Sequence, residues 1–151
     1  MARVRLAGQG DAGTLTDLRC AFLEEMGQHL PDGFADRLRA WIEQAMGAGQ
    51  LHAWLAELDG RTVGSAAVNP FPHLPSATYP TGQGWYLLNV YVKPGQRGDG
   101  IGSALMAAVG SAAREHGVDA VTLRVAPGAR NLYERAGFKA LPDDAMYMPL
   151  V

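Results

Sequence analysis

Cysteine is nearly missing from this chain. Cys20 is the only one, so no intrachain disulfide can form, and no histidine motif stands near it to make it a nucleophile. Long basic runs are missing as well, and the formal net charge is −2. A nucleic-acid partner is therefore not expected, while a small anionic ligand, which needs only a local field, stays open. No apolar run is long enough to span a bilayer and no cleavable signal pattern is present, so no membrane partner is expected and the location is read as cytoplasmic. His29, His52, His73 and His116 are scattered without a ligand pair at short spacing, which gives no metal site. Repeats, low-complexity segments and internal linkers are lacking too.

What is present is a globular composition, 48% hydrophobic and 19% charged, in 151 residues. That is enough for a single domain, 1–151, with a real core. Arg3 to Leu6 alternates and reads as a first strand. Gly8 to Gly13 reads as a turn, with Thr14 as a cap for the helix that follows. Leu15, Leu18, Phe22 and Met26 recur at helical spacing, and Glu25, seven residues after Leu18, falls on the same inward stripe. Gly27 to Gly33 breaks this helix. A second helix carries Phe34, Leu38, Trp41, Ile42 and Ala45 on one face and ends at Gly47 and Gly49. Leu51–Leu58, the turn Asp59-Gly60 and Thr62–Val68 read as a hairpin. Asn69 to Gly84 is a long loop holding four prolines, with His73 and Tyr79 as residues that could line a ligand site.

Trp85 to Val92 is an apolar strand with Asn89 as its one strongly polar member. A helix follows with Ile101, Leu105, Ala108, Val109 and Ala112 on one face, stopping near Gly117. Val121–Val125 is a further strand, Ala129–Arg135 a short helix ending at Gly137, and Met146–Leu150 a final strand. The order β-α-α-β-β-β-α-β-α-β gives a mixed α/β sheet with helices on its faces.

Between strand and helix lies the densest signal, Lys93-Pro94-Gly95-Gln96-Arg97-Gly98-Asp99-Gly100-Ile101-Gly102-Ser103. A glycine-rich turn that opens a helix can hold an anion, because the first N–H groups of the helix are unpartnered and its dipole favours negative charge. Common nucleotide loops do not fit. There is no Gly-x-x-x-x-Gly-Lys-(Ser/Thr), and Gly98, Gly100 and Gly102 lack the spacing and early position of a dinucleotide fingerprint.

Two segments together resemble the GNAT superfamily of N-acetyltransferases. Arg97 to Gly102 matches that family's (Arg/Gln)-x-x-Gly-x-(Gly/Ala) loop, between the fourth strand and the third helix. Asn131-Leu132-Tyr133-Glu134-Arg135-Ala136-Gly137-Phe138 is similar to its second segment, here with Asn and Tyr two apart. The resemblance covers nearly the whole chain. It implies a central, mostly antiparallel sheet flanked by helices and acetyl-CoA as co-substrate.

Residue by residue, the resemblance implies that backbone N–H groups of Gly98, Gly100, Gly102 and Ser103, around Ile101, hold the CoA pyrophosphate. Arg97 is the side-chain partner and Asp99 points to solvent. Val90, Tyr91 and Val92 leave backbone free for the pantetheine arm, and Asn131 touches the cofactor. Tyr133 stands near the thioester sulfur. Full proton transfer from a phenol near 10 to a thiolate near 8.5 is uphill by about 2 kcal/mol, so a hydrogen bond to the departing sulfur can suffice.

An alkylamine near 10.4 is only about a thousandth neutral at pH 7, so a proton must be lost before attack. Many family members carry a Glu on the fourth strand. Asn89 stands near that place and cannot be a base, though it can orient water or substrate; Glu25 is the alternative acid. The expected function is acetyl transfer from acetyl-CoA to the amine of a small molecule or peptide in a ternary complex. A non-catalytic acyl-CoA-binding or sensor domain is the alternative. An exposed terminal strand would permit a homodimer.

Overall fold

The computed structural model describes residues 1–150. One five-stranded sheet runs in the order β1 (Arg3–Leu6), β2 (His52–Leu58), β3 (Arg61–Pro72), β4 (Gln83–Val92), β5 (Ala120–Thr122). The first four strands are antiparallel neighbours, and β4 pairs with β5 in parallel. Helix α3 (Ile101–Glu115) makes the crossover that a parallel pair requires. Helices α1 (Ala12–Glu25) and α2 (Phe34–Gly47) precede β2, and α4 (Arg130–Arg135) follows β5.

Strand alternation explains why the sheet is covered on both faces. In β2, Ala53 and Leu55 pack with Leu15 and Leu18 of α1 and Ile42 and Ala45 of α2. Trp54 and Ala56 turn the other way, onto Ile101, Leu105 and Val109 of α3 and Tyr133 of α4. Leu15, Leu55, Leu105, Val68 and Val109 are fully buried, each contributing about 1.5–3 kcal/mol by leaving water.

The alternation breaks near the middle of β4. Trp85 and Leu87 face α3, and a regular strand would send Asn89 and Tyr91 the same way. Instead Tyr91 packs with the α1 cluster, while Val90 and Val92 turn toward α3. The cause is a bulge. Ser65 pairs with Tyr91 and Ala67 with Leu88, so Asn89 and Val90 together oppose Ala66. Asn89 takes a left-handed backbone, φ 56°, a conformation asparagine tolerates better than other side-chain-bearing residues.

Several expected boundaries move. β3 extends through Asn69 to Pro72 and β4 begins at Gln83, leaving residues 73–82 as the loop. β5 ends at Thr122 rather than Val125. Asp11, not Thr14, precedes the first helical residue, and its carboxylate accepts the Gly8 N–H at 2.8 Å. Met26 and Trp41 are exposed, and so is Glu25; the apolar stripe of α1 ends half-buried at Phe22. The final strand Met146–Leu150 does not form, and its Met146, Tyr147, Met148 and Leu150 are exposed. Pro149 would remove a ladder donor, and β5, an edge of the sheet, offers three residues only. The C-terminal strand on which the dimer expectation rested is thus not formed among the described residues. Among the described residues no helix is long and apolar enough to cross a membrane.

Candidate active site

The sheet opens where β4 and β5 part. They pair only at Gly84–Ala120, Trp85–Val121 and Tyr86–Thr122. Beyond Tyr86, no strand among the described residues pairs with that edge of β4, and the chain after Thr122 turns away through Arg124 to Ala129. The gap widens into a cleft of about 1030 Å³, walled by Tyr86 to Val92 on one side and Arg124 to Ala129 on the other. The bulge at Asn89 lies in its floor. An extended ligand with amide groups could take the free N–H and C=O groups of this edge as an added strand.

At one end the cleft meets the glycine loop. Gly98 (φ 88°) and Gly100 (φ 81°) are both left-handed, and Gly100 precedes the first residue of α3. A side chain at either would meet no atom within 4 Å, so backbone conformation, not crowding, requires glycine there. Gly102 has a different task. A Cβ on it would come within 3.3 Å of Leu132, so its bareness lets α4 lie close on α3 and brings Tyr133 to the cleft. Gly98, Gly100, Ile101, Gly102 and Ser103 all line the opening, and the helix start presents N–H groups suited to an anion.

Arg97 is held by three groups. Its Nε donates to the Val92 carbonyl at 2.8 Å, and its Nη2 reaches both Glu25 oxygens at 2.9 and 2.7 Å. Its guanidinium lies 5.5 Å from the Tyr91 ring centroid. The Tyr91 hydroxyl donates to Glu25 Oε1 at 3.4 Å, and burial, with the nearby Glu25 charge, raises the Tyr91 pKa above its usual value. Glu25 thus belongs to an exposed ion pair at the cleft rim and not to an inward stripe. Its position at the last residue of α1 is the reason: the helix has left the sheet there.

Asn89 is 7% exposed, and its Oδ1 is buried without a hydrogen-bond partner. Its Nδ2 makes a long contact to Ser65 Oγ at 3.5 Å. An orphaned buried acceptor is costly and suits a donor arriving with a ligand. Tyr133 is buried on α4, edge-on to Phe138 with ring centroids 5.8 Å apart. Burial raises its pKa, so the phenol keeps its proton and can donate.

Other expected residues lie elsewhere. Asn131 is exposed and outside the cleft lining, while Asp99, expected to point to solvent, is exposed. His73 and Tyr79 do not reach the cleft either. His73 Nε2 pairs with Asp119 at 3.0 Å, and the same carboxylate accepts the N–H groups of Thr81 and Gly82. These bonds tie the loop to the start of β5, away from the opening. Cys20 is not a lining residue, and among the described residues no group of three metal-ligating side chains comes together.

Residues not anticipated from sequence complete the walls. Arg19 lies 5.9 Å over the Phe22 ring, and Phe22 stacks on Tyr91 at 5.7 Å. The three-residue spacing of Arg19 and Phe22 puts them on one helix face, a signal present in the sequence. Arg124 and Arg135 also line the cleft. Only the divergence of β5 brings Arg124 there, and no sequence pattern announces it.

Similarity to known proteins runs along most of the chain. Residues 15–138 match the Acetyltransferase (GNAT) family. A predicted acetyltransferase from Clostridium acetobutylicum, crystallised with acetyl-CoA, shares the fold at TM-score 0.89 with 24% identity over 99% of this chain and 97% of that one. A GCN5-related N-acetyltransferase from Ralstonia eutropha JMP134 superposes at TM-score 0.86 with 25% identity, covering 99% of each chain. An integron cassette protein from the mobile metagenome of Cole Harbour Salt Marsh gives TM-score 0.83 and 26% identity over 98% of this chain and 90% of that one. No curated protein sequence matches. With the match spanning most of the chain, the protein belongs to the GNAT family of acetyltransferases.

Proposed function

We propose that this protein transfers the acetyl group of acetyl-CoA to an amine by direct attack in a ternary complex. The observation that carries the reading is the splayed β4–β5 edge, with a glycine-rich helix start at one end and a protonated, buried Tyr133 on its wall. Acetyl-CoA bound to a relative of the same fold supports the choice of donor. The pyrophosphate would lie on the N–H groups of Gly98 to Ser103, and the pantetheine amides on the free edge of Val90 to Val92. The neutral amine attacks the carbonyl carbon, the N–C bond forms and the C–S bond breaks. The sulfur leaves as thiolate and takes a proton or hydrogen bond from Tyr133. The proton shed by nitrogen passes to water, from which Tyr133 is restored.

Among the described residues Glu25 is the one carboxylate lining the cleft, and Arg97 holds it. No histidine lines it. The acceptor therefore enters in its neutral form, and the orphaned Asn89 Oδ1 accepts one of its N–H groups. Because the cleft-lining residues include no free carboxylate, a non-catalytic acyl-CoA-binding domain is the second reading.

Calorimetry with acetyl-CoA, joined to a thiol-release screen over amines, separates the two. Binding with release supports the enzyme; binding without release to any amine supports the sensor. Absence of binding defeats both. Cys20→Ala is expected to leave turnover unchanged, and loss of turnover would overturn direct transfer.

A further inference from the structure

Charge in the cleft is lopsided. Arg19, Arg97, Arg124 and Arg135 line it, against one acid, Glu25, in a chain whose net charge is −2. Arg97 spends its charge on Glu25. Among the described residues no carboxylate lies within ion-pair distance of Arg19, Arg124 or Arg135.

Arg19 stands apart by place. One wall of the cleft is a chain of stacked groups, Arg19 on Phe22, Phe22 on Tyr91 and Tyr91 under Arg97. Its Arg97 end belongs to the glycine loop. Arg19 lies six residues back along α1 from Glu25, about 9 Å along the helix axis, and so away from the loop that suits the pyrophosphate. It is half-buried, which makes an unpaired charge costly and an incoming anion correspondingly favourable. Burial also lowers its pKa.

Resting on the acetyl-transfer reading above, we infer that the acceptor is an amine that also carries a carboxylate, and that Arg19 binds that carboxylate. The arrangement sets the two ends of such a molecule apart: the anion on α1, and the amine at the Asn89 bulge in the floor of the same cleft. A simple alkylamine would leave Arg19 unpaired, and a diamine would also bring the cation of its second amine to a cationic wall. Amino acids and short peptides with a nearby free carboxylate are the class that fits.

The test is a thiol-release assay at saturating acetyl-CoA with matched acceptor pairs, each amino acid against its carboxamide. The carboxamide has the less basic amine, so amine basicity alone would favour it. The expected result is that the carboxylate member is preferred by about tenfold or more in kcat/KM. Arg19→Gln is expected to erase that preference through KM while leaving the acetyl-CoA dissociation constant within about twofold. Arg19→Lys keeps a charge and is expected to retain part of the preference. Wild-type turnover of the carboxamides as fast as the acids overturns the inference and leaves acetyl transfer standing. An Arg19→Gln enzyme that binds acetyl-CoA poorly makes Arg19 a cofactor ligand and also overturns it. No thiol release in either arm, with acetyl-CoA bound, defeats the transfer reading itself.

Discussion

Tyr133 and Asn89 show how much one residue's chemistry depends on its backbone. Tyr133→Phe keeps the ring that packs on Phe138 and removes only the hydroxyl. Turnover is expected to fall about 10²-fold or more, on the scale of one lost transition-state hydrogen bond, with acetyl-CoA affinity and melting temperature nearly unchanged; equal turnover would remove Tyr133 from the acid role. In the sequence this tyrosine stands out through its motif. At Asn89 the side chain is plain in the sequence but the reason for it is not. An amide in place of an acid reads as a gap in the mechanism, whereas the structure shows a residue at φ 56° that turns the strand over. Asn89→Gly is expected to keep the bulge, while Asn89→Ala should destabilise by about 1 kcal/mol more, because alanine resists that backbone. Denaturant midpoints of the two variants check this. A positive φ inside an apolar strand leaves no periodic trace, so it was not legible.

At the scale of elements, the link between α1 and the glycine loop decides what Glu25 does. Its carboxylate and the Arg97 guanidinium are 41% and 48% exposed, so their pair contributes about 1 kcal/mol or less to stability. Its larger consequence is for anion binding, since a phosphate must compete with Glu25 for Arg97. Glu25→Gln is expected to tighten acetyl-CoA binding several-fold, with the gain shrinking as salt rises, and Arg97→Gln to weaken it. Titrations at two salt concentrations check both. A Glu25→Gln enzyme with unchanged affinity and lost turnover would make Glu25 the base. Strand alternation, helix faces and the loop-to-helix junction were readable in the sequence. The failures sit at element ends: α1 runs past the sheet before Glu25, β5 stops after three residues, and the last strand finds no partner. Those outcomes depend on what lies alongside, which local pattern does not record.

Across the whole molecule, two pH dependences have different origins and can be told apart. Stability depends on Arg5, which joins β1 to the turn before α1 through Asp11 at 2.8 Å and to β2 through Glu57 at 2.9 Å. Hydrogen bonds from Arg5 and from the Gly8 N–H lower the Asp11 pKa to about 2. A carboxylate depressed on folding stabilises above its unfolded value and loses that contribution as pH falls toward the folded one. Asp11→Asn should therefore cost about 1 kcal/mol at pH 7 and progressively less as pH falls through about 2, seen as melting curves that converge on acidification.

Activity should follow another rule. With no histidine among the lining residues and Glu25 paired, the rising limb of kcat/KM against pH belongs to the acceptor amine. Its slope is one up to the amine's own pKa. Because burial raises the Tyr133 pKa, any falling limb from its ionisation is expected further to the alkaline side than for a free phenol. Replacing the acceptor by one with a less basic amine is then expected to slide the limb down by the difference in amine pKa. A limb that stays fixed whichever amine is used would instead report an ionising group of the enzyme, and the neutral-amine mechanism would have to be abandoned.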